Sequence, residues 1–187
     1  MEIFLHDYKD IKSKWNATID ASAQGDLKDV MNKLIWNQHI QSFDSKEWGQ
    51  LSDFTHLQKK LTEANKEKII EITKNLQLTI SGLQDCYDKL KASVECIPAI
   101  TLLYSMKTEQ LIQYTNELLT SYEKELNLKK KIVDGLLTMK YINSPYEVIV
   151  TITAMWSDKV YTNDRAISHI ESLLDFEVQS MKAYVNK

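Results

Sequence analysis

The chain has 187 residues, of which 43% are hydrophobic and 26% are charged, and its formal net charge is −3. This balance is typical of a folded soluble protein and excludes a disordered chain. Arg165 is the single arginine, and arginine is the preferred contact to phosphate and guanine, so direct sequence-specific binding of nucleic acid is not expected. The chain contains only four glycines and two prolines, which favours long helices joined by few turns.

Two helices are predicted within residues 4–42. Apolar side chains recur every three or four residues through the first of them, at Phe4, Tyr8, Ile11, Trp15 and Ile19. Gly25 is expected to end this helix as a left-handed residue after its last turn. Asp26 is expected to cap the second helix. Residues 43–50 then form a predicted loop, with Gly49 as its helix breaker.

The element around which the chain is organised is a long helix predicted over residues 52–97. Its apolar seam consists of Ile69, Ile72, Leu76, Ile80, Leu83, Tyr87, Leu90, Val94 and Ile97. The steps are those of a heptad repeat with one extra four-residue step near Leu76, a stutter that locally unwinds a coiled coil. A helix of this length, roughly 70 Å, needs another long helix beside it to cover the seam.

Three more helices are predicted at residues 107–139, 145–157 and 163–184. Pro98 indicates a boundary that lets the first of these fold back antiparallel on the long helix. The apolar face of that helix is broad and includes Ile112, which suits a bundle with more than one neighbour. The sequence therefore predicts an all-α protein with one domain, an elongated helical bundle containing a long antiparallel coiled-coil pair.

Residues 145–157 are predicted as a helix, although part of this segment has the composition of a β-strand. Ser144 can cap it, Pro145 suits its first position, and Glu147 can complete a capping box. Residues 148–153 instead have the β-branched composition of a strand. A lone strand would leave its backbone groups unpaired, so we expect a helix.

The sequence shows no evident catalytic, metal-binding or phosphate-binding motif. The isolated glycines exclude phosphate-cradling loops, and Cys86, Cys96 and the four histidines lack the spacing of a zinc site. No cofactor, metal or enzymatic activity is therefore expected, although a Cys–His pair assembled in space stays open. Two thiols without a signal peptide indicate the cytosol or nucleus. The apolar run 148–156 is too short to span a membrane.

Oppositely charged residues stand four apart on several predicted helices, and we expect them on solvated faces. The pairs are Asp10 with Lys14, Asp85 with Lys89, and Glu125 with Lys129. The run 129–131 consists of three lysines and has two readings, a nuclear-localisation signal or a solvated helix face, of which we favour the second.

The second half of the chain resembles a known family. The run Tyr122–Lys129, the pair Met155-Trp156, then Tyr161, and the run His169–Ser172 stand in an order and spacing similar to those of the cyclin-dependent kinase 2-interacting protein family (CINP). The likeness extends over about residues 114–174. The resemblance implies an all-helical, non-enzymatic protein of the nucleus, or of nucleus and cytoplasm.

The resemblance also implies partners and a role. These are a helical partner subunit, an AAA+ ATPase complex in large-ribosomal-subunit biogenesis, and cyclin-dependent kinase and checkpoint proteins in DNA replication and the DNA damage response. From the seam and the resembling segments we name six candidate partner-binding residues: Leu83, Leu90, Tyr122, Leu126, Trp156 and Ile170. The alternative function is a structural coiled-coil subunit of a tethering or kinetochore complex.

Overall fold

The computed structural model of the chain describes residues 2–42, 49, 56–97, 106–162 and 165–185. Within these residues the regular structure is helical and no strand occurs, so the predicted all-α class is confirmed. The elements are α1 (Glu2–Ser22), a π-helical segment (Ala23–Leu27), α2 (Lys28–Ser42), α3 (Leu57–Glu95), α4 (Thr108–Leu137), α5 (Tyr146–Ser157) and α6 (Arg165–Val185).

The chain divides into two compact units. The first comprises Met1–Thr18, Ser81–Leu128 and Asp158–Lys187, and the second comprises Ile19–Ile80 and Lys129–Ser157. Helices α3 and α4 contact each other. The later part of α3 shares the first unit with the earlier part of α4, and the reverse holds in the second unit. The contact between α3 and α4 is consistent with part of the prediction of a long antiparallel pair.

Aromatic side chains form the centre of the first unit. The rings of Trp15 and Tyr122 meet edge to face with centroids 4.9 Å apart, and Tyr8 meets Tyr122 in the same manner at 6.2 Å. All three are buried. Edge-to-face aromatic pairs stabilise a core beyond the burial of their area, so this cluster joins α1 firmly to α4.

In the second unit, three side-chain amides of α3 bond to α2 and the π-helical segment. Gln58 donates to the Ile40 carbonyl at 2.8 Å, and Asn65 donates to the Lys33 carbonyl at 2.7 Å. A third bond runs from Asn75 to the Asp26 carboxylate at 3.1 Å. The donor positions increase along α3, from 58 to 65 to 75, while the acceptor positions decrease, from 40 to 33 to 26. Helices α2 and α3 are therefore antiparallel.

The junction between α1 and α2 differs from the prediction. Gly25 has φ −101° and ψ −106° and lies within the π-helical segment, so it is not a left-handed cap. The helical path bends between α1 and α2 because the backbone of Gly25 is not helical. Gly25 therefore marks a kink between two continuous helices.

The buried positions of α3 differ from the predicted seam between Ile69 and Leu76. Ile69, Leu76, Leu83 and Leu90 are each 0% exposed and stand seven residues apart. Between the first two, Thr73 is 0% exposed, whereas Ile72 is only half-buried. The Thr73 hydroxyl donates to the Ile69 carbonyl at 2.6 Å, which satisfies it inside the core. The polar residue Thr73 thus occupies the seam position that the apolar pattern predicted for Ile72.

Helix α4 ends two residues before the predicted boundary at 139. Lys140 N–H donates to the Gly135 carbonyl at 2.9 Å, and Met139 N–H donates to the Leu136 carbonyl at 3.1 Å. These two bonds define a Schellman motif. Met139 occupies its left-handed position with φ 56°, where glycine is usual. The missing glycine explains why the sequence did not reveal the end of the helix.

Helix α5 confirms the prediction of a helix over the β-branched run. Ile149, Ile152 and Trp156 are buried at steps of three and four, which is the period of a helix. The first backbone acceptor of this helix is the Pro145 carbonyl, which accepts a hydrogen bond from Val148 N–H at 3.0 Å. The helix therefore begins one residue after the predicted start at Pro145.

Other boundaries differ slightly or cannot be compared. Helix α3 ends at Glu95 rather than at residue 97. Ile112, which we expected on the buried face of α4, is 49% exposed. The predicted start of the long helix at 52, most of the loop at 43–50 and the break at Pro98 lie outside the described residues.

Two mid-helix glycines allow a matched test of packing. A Cβ at Gly135 would lie 2.6 Å from the Tyr141 Oη, whereas a Cβ at Gly82 would lie 4.0 Å from its nearest neighbour, the Thr18 Cγ2. Gly135→Ala should lower the free energy of unfolding by about 1–2 kcal/mol through the clash. Gly82→Ala should raise it by about 0.5–1 kcal/mol through helix propensity. Urea unfolding measures both, and stabilisation by both variants would contradict the placement of Tyr141.

Candidate functional site

All six candidate partner-binding residues lie in the interior of the chain. They are Leu83, Leu90, Tyr122, Leu126, Trp156 and Ile170, and none is more than 3% exposed. In the folded chain these side chains hold its own helices together. Their role as partner contacts stays a prediction, and exposed side chains are better placed for that role.

Among the candidate partner-binding residues, Trp156 is clearly part of the hydrophobic core. Its indole is 0% exposed, and its N–H donates to the Ser22 Oγ at 3.0 Å. The Lys129 ammonium lies 5.8 Å from the centre of the ring and donates to the Met155 carbonyl at 2.6 Å. Because that carbonyl lies in the last turn of α5, the cation also interacts favourably with the C-terminal end of the helix dipole.

The prediction that Glu125 and Lys129 lie on a solvated face is wrong. Both side chains are 0% exposed. Glu125 accepts a hydrogen bond from the Tyr161 backbone N–H at 2.7 Å, and Lys129 bonds to α5 as described above. Burying a charge costs free energy unless partners compensate it. The run 129–131 accordingly does not present three exposed lysines, so the favoured reading of a solvated face is wrong for Lys129.

A polar cluster in the first unit was missed by sequence reasoning. The Glu171 carboxylate accepts a hydrogen bond from the Tyr8 hydroxyl and contacts the Lys12 ammonium at 2.6 and 2.7 Å. Nearby, Lys9 pairs with Asp175 at 2.6 Å. The sequence did contain Glu171 within the resembling run His169–Ser172, but nothing indicated its partners more than 150 residues earlier.

The environment of this cluster keeps its tyrosines protonated. Burial is the main cause that raises the pKa of Tyr8 far above its ordinary value of 10, and the neighbouring Tyr122 and Glu171 add to the shift. Burial likewise raises the pKa of Tyr122. A neutral Tyr8 hydroxyl is the state that can donate to the Glu171 carboxylate, so the cluster is arranged to hold helices together.

An open groove of about 430 Å³ lies between α1 and α3. Its lining includes Lys14, Lys89 and Cys86. Burial raises the pKa of the Cys86 thiol, although both lysines act to lower it. A nucleophilic cysteine needs the thiolate form, so this groove does not activate Cys86. The other thiol, Cys96, is exposed.

Helix α5 of the second unit exposes apolar side chains on two sides. Tyr146 (56%) and Val150 (46%) stand four residues apart and share one side, here called the outer face of α5, whereas Val148 (37%) and Met155 (38%) lie on the opposite side. Glu147 is the only charged residue in the twelve of this helix. Neighbouring apolar side chains that are exposed can mark surfaces for binding other proteins. The outer face of α5 is therefore our candidate interaction surface.

In the described part of the chain, no group of three or more His, Cys, Asp and Glu side chains could hold a metal ion. None of its helices is both long and apolar enough to cross a membrane.

Comparison with known proteins adds no relative. The chain matches no protein-family model, no curated protein and no solved structure.

The Glu171 cluster can be tested by a change that preserves its shape. Glu171→Gln should lower the free energy of unfolding by about 1–3 kcal/mol, because hydrogen bonds to a partly buried charge are lost. The matched control is Glu71→Gln, whose Lys68 partner is similarly close at 2.7 Å but exposed on α3. Exposed pairs contribute little, so chemical denaturation should show no change for the control. Equal effects of both variants would contradict the special position of Glu171.

The raised tyrosine pKa values predict the response to alkaline pH. The folded state keeps Tyr8 and Tyr122 protonated above pH 10, whereas the unfolded chain loses those protons. Stability should be fully present below pH 10 and fall above it by about 1.4 kcal/mol per pH unit for each tyrosine. Tyr122→Phe should flatten this decline. Denaturant unfolding between pH 8 and 11.5 measures the slopes, and a wild-type slope of zero would refute the prediction.

Proposed function

We propose that this protein is a non-enzymatic helical adaptor subunit that binds a helical partner through the outer face of α5. The supporting observation is that Tyr146 and Val150 are exposed on the same side of a helix with one charged residue. A surface helix normally turns polar side chains to solvent. The exposed apolar side of α5 therefore favours contact with another protein.

The packing of α3 favours this adaptor over the alternative of an open coiled-coil subunit. Ile69, Leu76, Leu83 and Leu90 form the seam, and each is 0% exposed in the chain by itself. A two-stranded coiled coil needs such a seam to face its partner. Because the seam is already covered, a partner is better accommodated on α5.

The cellular role is proposed from the resemblance to the CINP family. On that basis the adaptor joins a helical subunit and an AAA+ ATPase complex that acts in large-ribosomal-subunit biogenesis. Association with cyclin-dependent kinase and checkpoint proteins, in DNA replication and the DNA damage response, belongs to the same proposal, as does location in the nucleus.

The experiment compares two exposed positions. Val150→Asp places a charge on the outer face of α5, and Ser168→Asp places one on the exposed side of α6. Both tagged variants should retain the circular dichroism and melting temperature of the wild type. Val150→Asp should reduce recovery of the helical subunit and the ATPase from cells at least tenfold, because a charge is costly in an apolar interface. Ser168→Asp should recover them normally.

Two results would count against the proposal. Undiminished recovery by folded Val150→Asp would exclude the outer face of α5 as the binding surface. Wild-type protein that recovers neither an AAA+ ATPase nor replication or checkpoint proteins at native expression would exclude the family-based role.

A further inference from the structure

Ser144 and Pro145 form the only serine–proline or threonine–proline pair in the chain. Both residues lie outside regular structure, between the turns that follow α4 and the first residue of α5. Proline restricts the residue before it to an extended conformation. One class of protein kinase phosphorylates serine or threonine directly before proline, and this pair has the sequence of its acceptor sites.

The hydroxyl of Ser144 is not used by the fold. The sequence predicts that it caps α5, but the Pro145 carbonyl is the first acceptor of the helix, so Ser144 stands one position before the N-cap. Its backbone N–H donates to the Tyr141 carbonyl at 3.1 Å, and its carbonyl accepts from the Gln38 side-chain amide. Its hydroxyl makes no hydrogen bond to any residue that the structure describes. The oxygen is therefore available as a nucleophile.

The segment around Ser144 is open to an enzyme. Asn143, Pro145, Tyr146 and Glu147 are exposed, and Ser144 itself is half-buried. Because Ser144 precedes α5, its presentation to an enzyme breaks none of the backbone hydrogen bonds within that helix. The chain thus offers a serine hydroxyl with exposed neighbours on both sides.

A phosphate on Ser144 would lie at the N-terminal end of α5, beside the outer face of this helix. The first backbone N–H groups of a helix have no acceptor within it, and a phosphate at that end is favoured by the helix dipole. Tyr146, only two residues further on, is one of the two side chains of the outer face of α5. A phosphate carries a charge of about −2 at pH 7 and disrupts an apolar interface beside it.

We propose that Ser144 is phosphorylated by a proline-directed serine/threonine kinase, and that the phosphate releases the partner from the outer face of α5. The serine Oγ attacks the γ-phosphorus of ATP held by the kinase. The Oγ–phosphorus bond forms, the bond from phosphorus to the β,γ-bridging oxygen breaks, and ADP leaves. The hydroxyl proton passes to the catalytic base of the kinase. The effect on binding rests on the proposed function, whereas the modification does not.

The modification is tested on the purified full chain with a proline-directed kinase and ATP. The wild type should gain the mass of one phosphoryl group, and peptide mass spectrometry should locate it at Ser144. Ser144→Ala removes the acceptor and Pro145→Ala removes the recognition residue, so each should lower incorporation at least tenfold. Ser157→Ala, at the exposed end of α5, is the control and should be phosphorylated like the wild type. Circular dichroism verifies that each variant is folded.

Three results would overturn the modification. They are a wild type that gains no phosphoryl group, incorporation that persists in Ser144→Ala, and incorporation that is undiminished in Pro145→Ala. Protein isolated from cells treated with a phosphatase inhibitor should contain the same phosphopeptide, and its absence there would also exclude Ser144 as a site. If a variant does not fold, the location of the phosphate in the wild type still decides between these outcomes.

The effect on binding is tested by recovery of the partner from cell extract. Phosphorylated wild type should recover at least tenfold less of the partner that Val150→Asp loses, and kinase-treated Ser144→Ala should recover it fully. Undiminished recovery by the phosphorylated wild type, alongside loss in Val150→Asp, would overturn the regulation alone. If both leave recovery unchanged, the proposed function fails and the regulation with it, while the mass of the wild type still decides the modification.

Discussion

The turns on either side of α5 are held by side chains that reach from one helix to the backbone of another segment. Asn37 and Gln38 of α2 donate to the carbonyls of Ile142 and Ser144 in the turn before α5. Glu125 does the equivalent for the turn after α5, as an acceptor from its backbone N–H. A chain with four glycines and two prolines has few residues that form turns by themselves. Contacts from neighbouring helices replace that local preference, so the turns depend on the packing of the helices.

This dependence explains which parts of the fold could be predicted. Helices with a regular apolar period, such as α1 and α6, can be predicted from the local sequence pattern alone, because that period shows which face of the helix is buried. The end of α4 could not be read, since Met139 stands where a glycine would have signalled a cap. The same reason applies to the turn at Lys159. In both cases tertiary contacts compensate an unfavourable left-handed backbone conformation, which the local sequence does not predict.

The interior polar residues show a second limit. An acidic residue and a lysine within one helical turn of each other predict a solvated face, and Lys68 with Glu71, paired in solvent three residues apart, illustrates why that expectation is usually sound. Glu125 and Lys129, four residues apart, are the same residue types but are buried. The difference lies in their partners, a backbone N–H and a backbone carbonyl distant in sequence, which no local pattern contains. The same holds for the candidate binding residues, since apolar spacing locates a buried face but cannot distinguish the chain's own core from an interface.

The unequal environments of the two cysteines have a practical consequence. Cys86 is 1% exposed and burial raises the pKa of its thiol, whereas Cys96 is exposed just beyond the end of α3. Alkylating reagents react with accessible thiolates, so brief treatment of the native protein at neutral pH attaches a single probe at Cys96 without engineering. A fluorophore or spin label placed there reports on the end of α3 in the natural sequence, including when a partner is added.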